Sequence, residues 1–339
     1  MNKKLTTILC LMMLGHSLMA QQKPHYTQYI MNQYIINPAL SGIENYVDIK
    51  ASHRLQWVGL LDAPVTTYFT AQGPIGKEDE KTTATTLHGP LDNPRGERYW
   101  ESYEVSAPHH GWGIQMINDK TGPLNNFSAM ATYAYHIGLS PRTNLSAGIG
   151  IGMSNISLNA DKLRFYNSTI DPAVAGSGAI DRLKLDLSAG IYLYSADYFL
   201  GLSAQQLVPS GLSFSNNVLS RLEGRVVPHF FLTAGYRFLL GEDFNLVPSI
   251  MMKYVQPNPV QPELNVKLQY RDYIWVGGGL RVDDGGTVMA GINISNTFNV
   301  GYAYDYTTSR LNAFTKGTHE IMIGFTIGSR GELCPRNVW

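Results

Sequence analysis

Cysteine is nearly absent: the chain of 339 residues has two, Cys10 and Cys334. Cys10 falls inside an apolar leader. Once that leader is removed a single thiol remains, so neither an internal disulfide nor a cysteine metal cluster can form. Charge is scarce too, with Asp, Glu, Lys and Arg at 15% against roughly 25% in soluble domains. The 26 basic and 26 acidic side chains cancel, which removes the basic excess a nucleic-acid partner requires. After the leader no apolar run approaches the ~18 residues of a membrane-spanning helix, and a helical membrane protein is excluded. No Gly-x-Ser-x-Gly elbow occurs. The His109-His110 pair has no acids at ligand spacing and reads as a loop dipeptide. Nothing recommends an enzyme, and no cofactor or metal is expected.

What the chain does have begins at its N-terminus. Lys3 and Lys4 precede an uncharged apolar run from Leu5 to Met19, followed by Ala20-Gln21. Basic start, short apolar stretch and small residue at the break describe a secretory signal peptide over residues 1–20. The rest is rich in tyrosine (20) and glycine (33).

Residues 183–195 alternate strictly. Leu183, Leu185, Leu187, Ala189, Ile191 and Leu193 face one way in an extended chain, and Lys184, Asp186, Ser188 and Gly190 face the other. The pattern recurs to the C-terminus. Extended segments are predicted at 46–54, 65–72, 111–118, 126–138, 144–156, 183–195, 198–206, 228–239, 244–254, 262–270, 273–282, 287–295, 297–306 and 319–328. Short turn-rich connections alternate with long ones, as in outer-membrane barrels with short periplasmic turns and several long external loops. The fold expected is therefore all-β: a transmembrane antiparallel β-barrel of about 14 strands over residues 46–328, in the outer membrane of a Gram-negative bacterium. Closure leaves no sheet edge in lipid.

Asp48, Lys50, Lys184, Asp186 and Lys267, with Lys253 and Arg281, are the expected lumen-facing charges. Tyr133, Tyr135, Tyr192, Tyr194, Tyr236, Phe238, Tyr302 and Tyr304 are expected in the aromatic girdles. Gly148-x-Gly150-x-Gly152 keeps a period of two with no helix after it, so the dinucleotide fingerprint fails. Those glycines leave room on the lumen face or ease bending. Residues 73–110 lack any period and read as an exposed loop.

Residues 21–45 form a separate N-terminal segment, placed in the periplasm or as a plug in the barrel mouth. Asn37-Pro38 favours a turn or extended course, and Tyr26, Tyr29, Ile30, Tyr34 and Ile36 offer apolar surface. Residues 329–339 form a C-terminal tail.

Gln28-Tyr29, Asn32, Asn37-Pro38-Ala39 and Gly42 are followed by Arg54-x-Gln56-Trp57, Gly59 and Pro64. This order and spacing resembles the start of the PorP/SprF family of type IX secretion system membrane proteins, over about the first 75 residues. The resemblance implies a non-enzymatic outer-membrane component of the type IX secretion and gliding machinery. Its partners would be the outer-membrane lipid and either a large adhesin whose secretion or surface attachment it supports (SprF-like), periplasmic components that it anchors (PorP-like), or both. The long 73–110 stretch departs from the compact connection the resemblance implies there. Gln56 and Trp57 also read as membrane-interface anchors. On strand pattern alone, a passive porin or hydrophobic-solute transporter remains the alternative.

Overall fold

A computed structural model describes residues 27–77, 96–97, 103–159, 162, 179–208, 226–271, 273–282, 284–295 and 297–328. The leader, Cys334 and the C-terminal tail lie outside them. The strands are β1 (Val47–Leu55), β2 (Val65–Ile75), β3 (His109–Thr121), β4 (Leu124–Ser140), β5 (Thr143–Asn159), β6 (Ala179–Tyr194), β7 (Tyr198–Gln205) and β8 (His229–Tyr236). They continue with β9 (Phe238–Leu240), β10 (Phe244–Val255), β11 (Gln261–Tyr270), β12 (Ile274–Arg281), β13 (Gly285–Asn293), β14 (Phe298–Thr307) and β15 (Thr318–Ile327).

Each pairs antiparallel with its neighbours. β1 pairs with β15 from Val47↔Ile327 to Leu55↔His319 and joins the first strand to the last. β8 and β9 both lie against β10 and form one span interrupted at Arg237, where the backbone N–H turns to the Asp197 carbonyl. The result is a closed antiparallel barrel of 14 spans.

Alternation explains closure and orientation of the side chains together. In β15, Ile321, Ile323, Phe325 and Ile327 are exposed while Thr318, Glu320, Met322 and Thr326 are buried. In β6 the outward row runs from Leu183 to Leu193, about 33 Å along the strand. At a tilt of about 40° this covers about 25 Å of membrane, the height of an outer-membrane apolar band. Asp48, Lys50, Lys184, Asp186, Lys253, Lys267 and Arg281 all face inward and are buried.

Tyr192 and Tyr194 depart from the girdle expectation. They share the parity of Lys184 and Asp186, and both are buried in the lumen. Tyr133, Tyr135, Tyr236, Phe238 and Tyr302 are exposed on the outer surface.

The connections sort by end. The end where β1 starts and β15 stops has the short connections 141–142, 195–197, 241–243, 271–273 and 294–297, and the other end has the long 56–64, 160–178, 206–228 and 308–317 beside the short 122–123, 256–260 and 282–284. Short turns mark the periplasmic side, so β1 rises outward from it. One long connection breaks the rule. Residues 76–108 join β2 to β3 at the periplasmic end, and their described parts are not simply exposed: Tyr103 and Ser106 are buried. The strands also reach further into this stretch than periodicity suggested, to Ile75 and from His109.

Residues 27–46 do not join the sheet. They run inside it through three short 3₁₀ turns, Thr27–Ile30, Gln33–Ile35 and Pro38–Leu40. Tyr29, Ile30, Met31, Ile35 and Ile36 pack with inward residues of the wall, among them Tyr68, Phe231, Met251, Trp275, Met289 and Met322. Tyr34, Ala39, Leu40 and Ile43 pack with Tyr192, Tyr194, Phe199 and Val247. Each large apolar side chain so buried contributes on the order of 1.5–3 kcal/mol.

Candidate functional site

Burying a backbone inside a barrel requires a partner for each of its polar groups, and here the carbonyls from Gln33 to Ile43 are fully accounted for. Those of Gln33, Asn37, Pro38 and Leu40 are met within the segment by the amides that close its own turns. The others are met by side chains of the wall. Gln115 Nε2 donates to the Tyr34 carbonyl at 2.7 Å, Gln205 Nε2 to Ile35 at 3.0 Å and Ser203 Oγ to Ile36 at 2.6 Å. Ser146 Oγ donates to Ala39 at 2.8 Å and His136 Nε2 to Ser41 at 2.8 Å, and His109 Nε2 lies 3.1 Å from the Gly42 carbonyl with its Nδ1 2.8 Å from that of Ala107. Lys77 Nζ closes the series on the Ile43 carbonyl at 3.0 Å.

The two histidines stack, with ring centroids 4.5 Å apart and planes 6° from parallel. His110, the other half of the dipeptide, points outward and meets the Tyr133 hydroxyl at 2.6 Å. His109-His110 is therefore part of β3 rather than a loop, and its two rings face opposite sides.

Three motif side chains and one motif glycine hold the segment in place. Asn37 accepts from the Ala39 N–H at 3.0 Å, capping the Pro38–Leu40 turn, and donates to the Ile191 carbonyl at 3.1 Å. Asn32 donates to Thr70 Oγ1 at 2.9 Å, and Tyr29 accepts from Asn265 at 2.6 Å. Gly42, at φ +76°, donates its N–H to Gln72 at 2.6 Å. Gln28 lies on the first turn. Tyr34, outside the motif, shares a 2.6 Å hydrogen bond with Thr132. Burial pushes the Tyr29 and Tyr34 phenols above their ordinary range, so both stay neutral.

Small residues let the backbones approach. A Cβ on Gly148 would stand 2.6 Å from the backbone of Ala39. One on Gly111 would stand 1.8 Å from the Ser41 carbonyl oxygen. The first glycine of the 148–152 series thus makes room for the segment, whereas Gly150 and Gly152 face Met130.

The rest of the motif lies at the outer end. Arg54 is buried in β1 and donates to Glu320 at 3.1 Å and Asp305 at 2.7 Å. Beside it Arg281 pairs with Glu263 at 3.0 Å and Asp284 at 2.8 Å. Gln56 N–H and the Pro64 carbonyl close the base of the 56–64 loop at 2.9 Å. Trp57, at φ +51°, donates its N–H to Thr318 Oγ1 at 3.1 Å, and Gly59 adopts φ +105°. Val58 bonds through its backbone to Lys316 and Gly317, so this loop and 308–317 are tied together. Arg54, Trp57, Arg281, Asp284, Asp305 and Thr318 line a small open recess at the outer end.

The sequence resemblance extends far past these residues. The model of the family described as type IX secretion system membrane protein PorP/SprF matches residues 18–325. The chain belongs to the PorP/SprF family. In this PorP/SprF barrel the motif is split between a group seated in the lumen and a group on an outer loop, with Arg54 between them. No curated protein matches the chain.

Solved structures similar to this PorP/SprF chain are outer-membrane barrels. The Ralstonia pickettii toluene transporter TbuX aligns at TM-score 0.49 and 10% identity, over 88% of this chain and 92% of that one. The CymD monoaromatic hydrocarbon channel aligns at 0.47 and 10%, over 89% and 92%. Acinetobacter baumannii Omp33 aligns at 0.44 and 8%, over 85% and 100%. Likeness at this level says nothing of what this barrel handles.

The wall residues that grip the segment escaped sequence reasoning. Gln115, His136, Ser146, Ser203 and Gln205 look like ordinary inward polar positions of a solvated lumen. The signal they carry is inward parity, and Gln115 and Ser146 also share their rows with Gly111 and Gly148, which the segment approaches.

Proposed function

We propose that this protein is a non-enzymatic outer-membrane component of the type IX secretion and gliding machinery that supports secretion or surface attachment of a large adhesin. Membership of the family carries the link to secretion. The filled lumen supports a scaffold rather than a diffusion channel, because the Tyr29–Ile43 stretch occupies the space a solute would need.

The two ends suit two kinds of partner. The joined loops 56–64 and 308–317 present Leu61 and Phe314, both strongly exposed, on the outer side. At the periplasmic end, Lys77 holds the exit of the segment, and the buried Tyr103 of the same connection accepts from Asn144 Nδ2 of the wall at 2.9 Å. A periplasmic component that grips this end would hold the barrel to the rest of the machinery.

Deleting the gene and assaying surface adhesin and gliding tests the reading. Loss of one adhesin from the surface, restored by the gene in trans, is expected. Normal display of every type IX client together with normal gliding would contradict it.

A further inference from the structure

The lumen holds its occupant in an unusual way. Five wall side chains from four strands, β3, β4, β5 and β7, donate to backbone carbonyls of residues 34, 35, 36, 39 and 41, and His109 Nε2 lies 3.1 Å from that of residue 42. A carbonyl is common to every residue, so such bonds fix the path of a chain and read little of its sequence. The near-contact of Gly148 with Ala39 and of Gly111 with Ser41 also recognises backbone, and demands only small residues there. On the other side of the lumen the surface offered to side chains includes Met251, Met289 and Met322. Methionine is flexible and polarisable, and it lines binding surfaces that accept varied apolar groups. Residues 33–43 carry no charge.

We infer that the lumen wall formed by β3, β4, β5 and β7 is a polypeptide-binding site, and that residues 29–43 are its tethered occupant. Its ligand class is an uncharged segment of tight turns with small residues where the glycine windows narrow the path. The tether raises the effective concentration of the resident segment, so a segment from another chain enters when the resident is weakened. This inference stands on the lumen geometry and not on the role in secretion.

The test uses the full chain with the resident segment weakened from its own side and the wall untouched. Gly42→Val places a Cβ where it would be 2.4 Å from Gly111 Cα, at a φ of +76°. Asn37→Ala removes the cap and the bond to Ile191 without adding volume. Heat-modifiable migration on gels reports barrel formation. Fluorescence anisotropy then follows three labelled peptides: residues 29–46, the same peptide with Ile35→Leu, Ile36→Met and Leu40→Met, and the same peptide with Ala39→Leu.

Saturable binding of the first two within about 10-fold of each other, and at least about 100-fold weaker binding of the third, is expected, on the order of 3 kcal/mol. The unmodified chain is expected to bind all three at least 10-fold more weakly than the weakened chains do. The inference is overturned if neither folded variant binds the first peptide, or if the repacked peptide loses as much affinity as the Ala39→Leu one. Failure of both variants to form a barrel overturns it as well, since an exchangeable ligand is dispensable for folding. Loss of adhesin display after gene deletion bears on the secretion role and leaves this result unaffected.

Discussion

Ser41 and Gly111 face each other across the periplasmic mouth with no room for a side chain between them. The ideal Cβ of a residue at 111 would lie 1.8 Å from the Ser41 carbonyl oxygen and 2.4 Å from its carbon. That carbonyl is also the one held by His136. The segment therefore leaves the lumen through a gap set by backbone atoms on both sides.

Replacing Gly111 tests the fit. Gly111→Val forces the 41–42 backbone away from the wall, because the neighbour is main chain and cannot rotate aside. The barrel itself is expected to form, with the segment loosened at its exit. A cysteine introduced at Leu40, protected from thiol reagents in the parent, is expected to react at least 10-fold faster in the Gly111→Val background.

The Arg54 cluster makes a second prediction. Arg54→Met leaves Glu320 and Asp305 facing one another at the outer end of the lumen, with Glu320 only 1% exposed. Breaking a buried pair by removing one partner costs roughly 3–5 kcal/mol. Urea unfolding of the barrel in detergent micelles is expected to shift by that order. The compensating change Arg54→Met with Glu320→Gln is expected to recover part of it, and an equal loss in both variants would contradict the pairing.

Alkaline pH should loosen the segment. Burial raises the Tyr29 and Tyr34 phenols above their unfolded value, so the neutral form is the one the docked state prefers. Their contribution is complete below about pH 10 and declines above it, by about 1.4 kcal/mol per pH unit for each phenol. Reaction of the Leu40→Cys probe, corrected with an exposed thiol, is expected to rise beyond pH 10. Tyr34→Phe is expected to reduce that dependence.

The outer face of β6 offers a test independent of the plug. Leu185 points to lipid and is 65% exposed, while its neighbour Asp186 is buried in the lumen. Leu185→Arg is expected to cost about 1–2 kcal/mol in folding into bilayers, as for a basic residue between midplane and interface. Leu185→Phe is expected to fold like the parent.

The barrel was legible because lipid and lumen impose opposite demands on successive residues. The run from Leu183 to Leu193 needs no tertiary information to be assigned, and each of the predicted segments corresponds to one span. Tyr192 and Tyr194 show where composition misleads: an aromatic near a strand end suits a girdle, but parity places both inside, where one packs on Phe199 and the other meets His136. The plug contacts were hidden for a different reason. Gln115 of β3 and Gln205 of β7 converge on adjacent carbonyls only after the strands between them have closed their registers. The long 76–108 connection reads as an exposed loop by polarity, whereas counting spans from β1 is what places it at the end where β1 starts.

The central claim is that the barrel is sealed by its own N-terminal segment and acts as a scaffold. Single-channel recording of the purified full-length chain in planar bilayers tests it most directly. The unmodified protein is expected to be silent, and Gly111→Val to show opening events. Steady open conductance from the unmodified protein, unchanged in Gly111→Val, would contradict it.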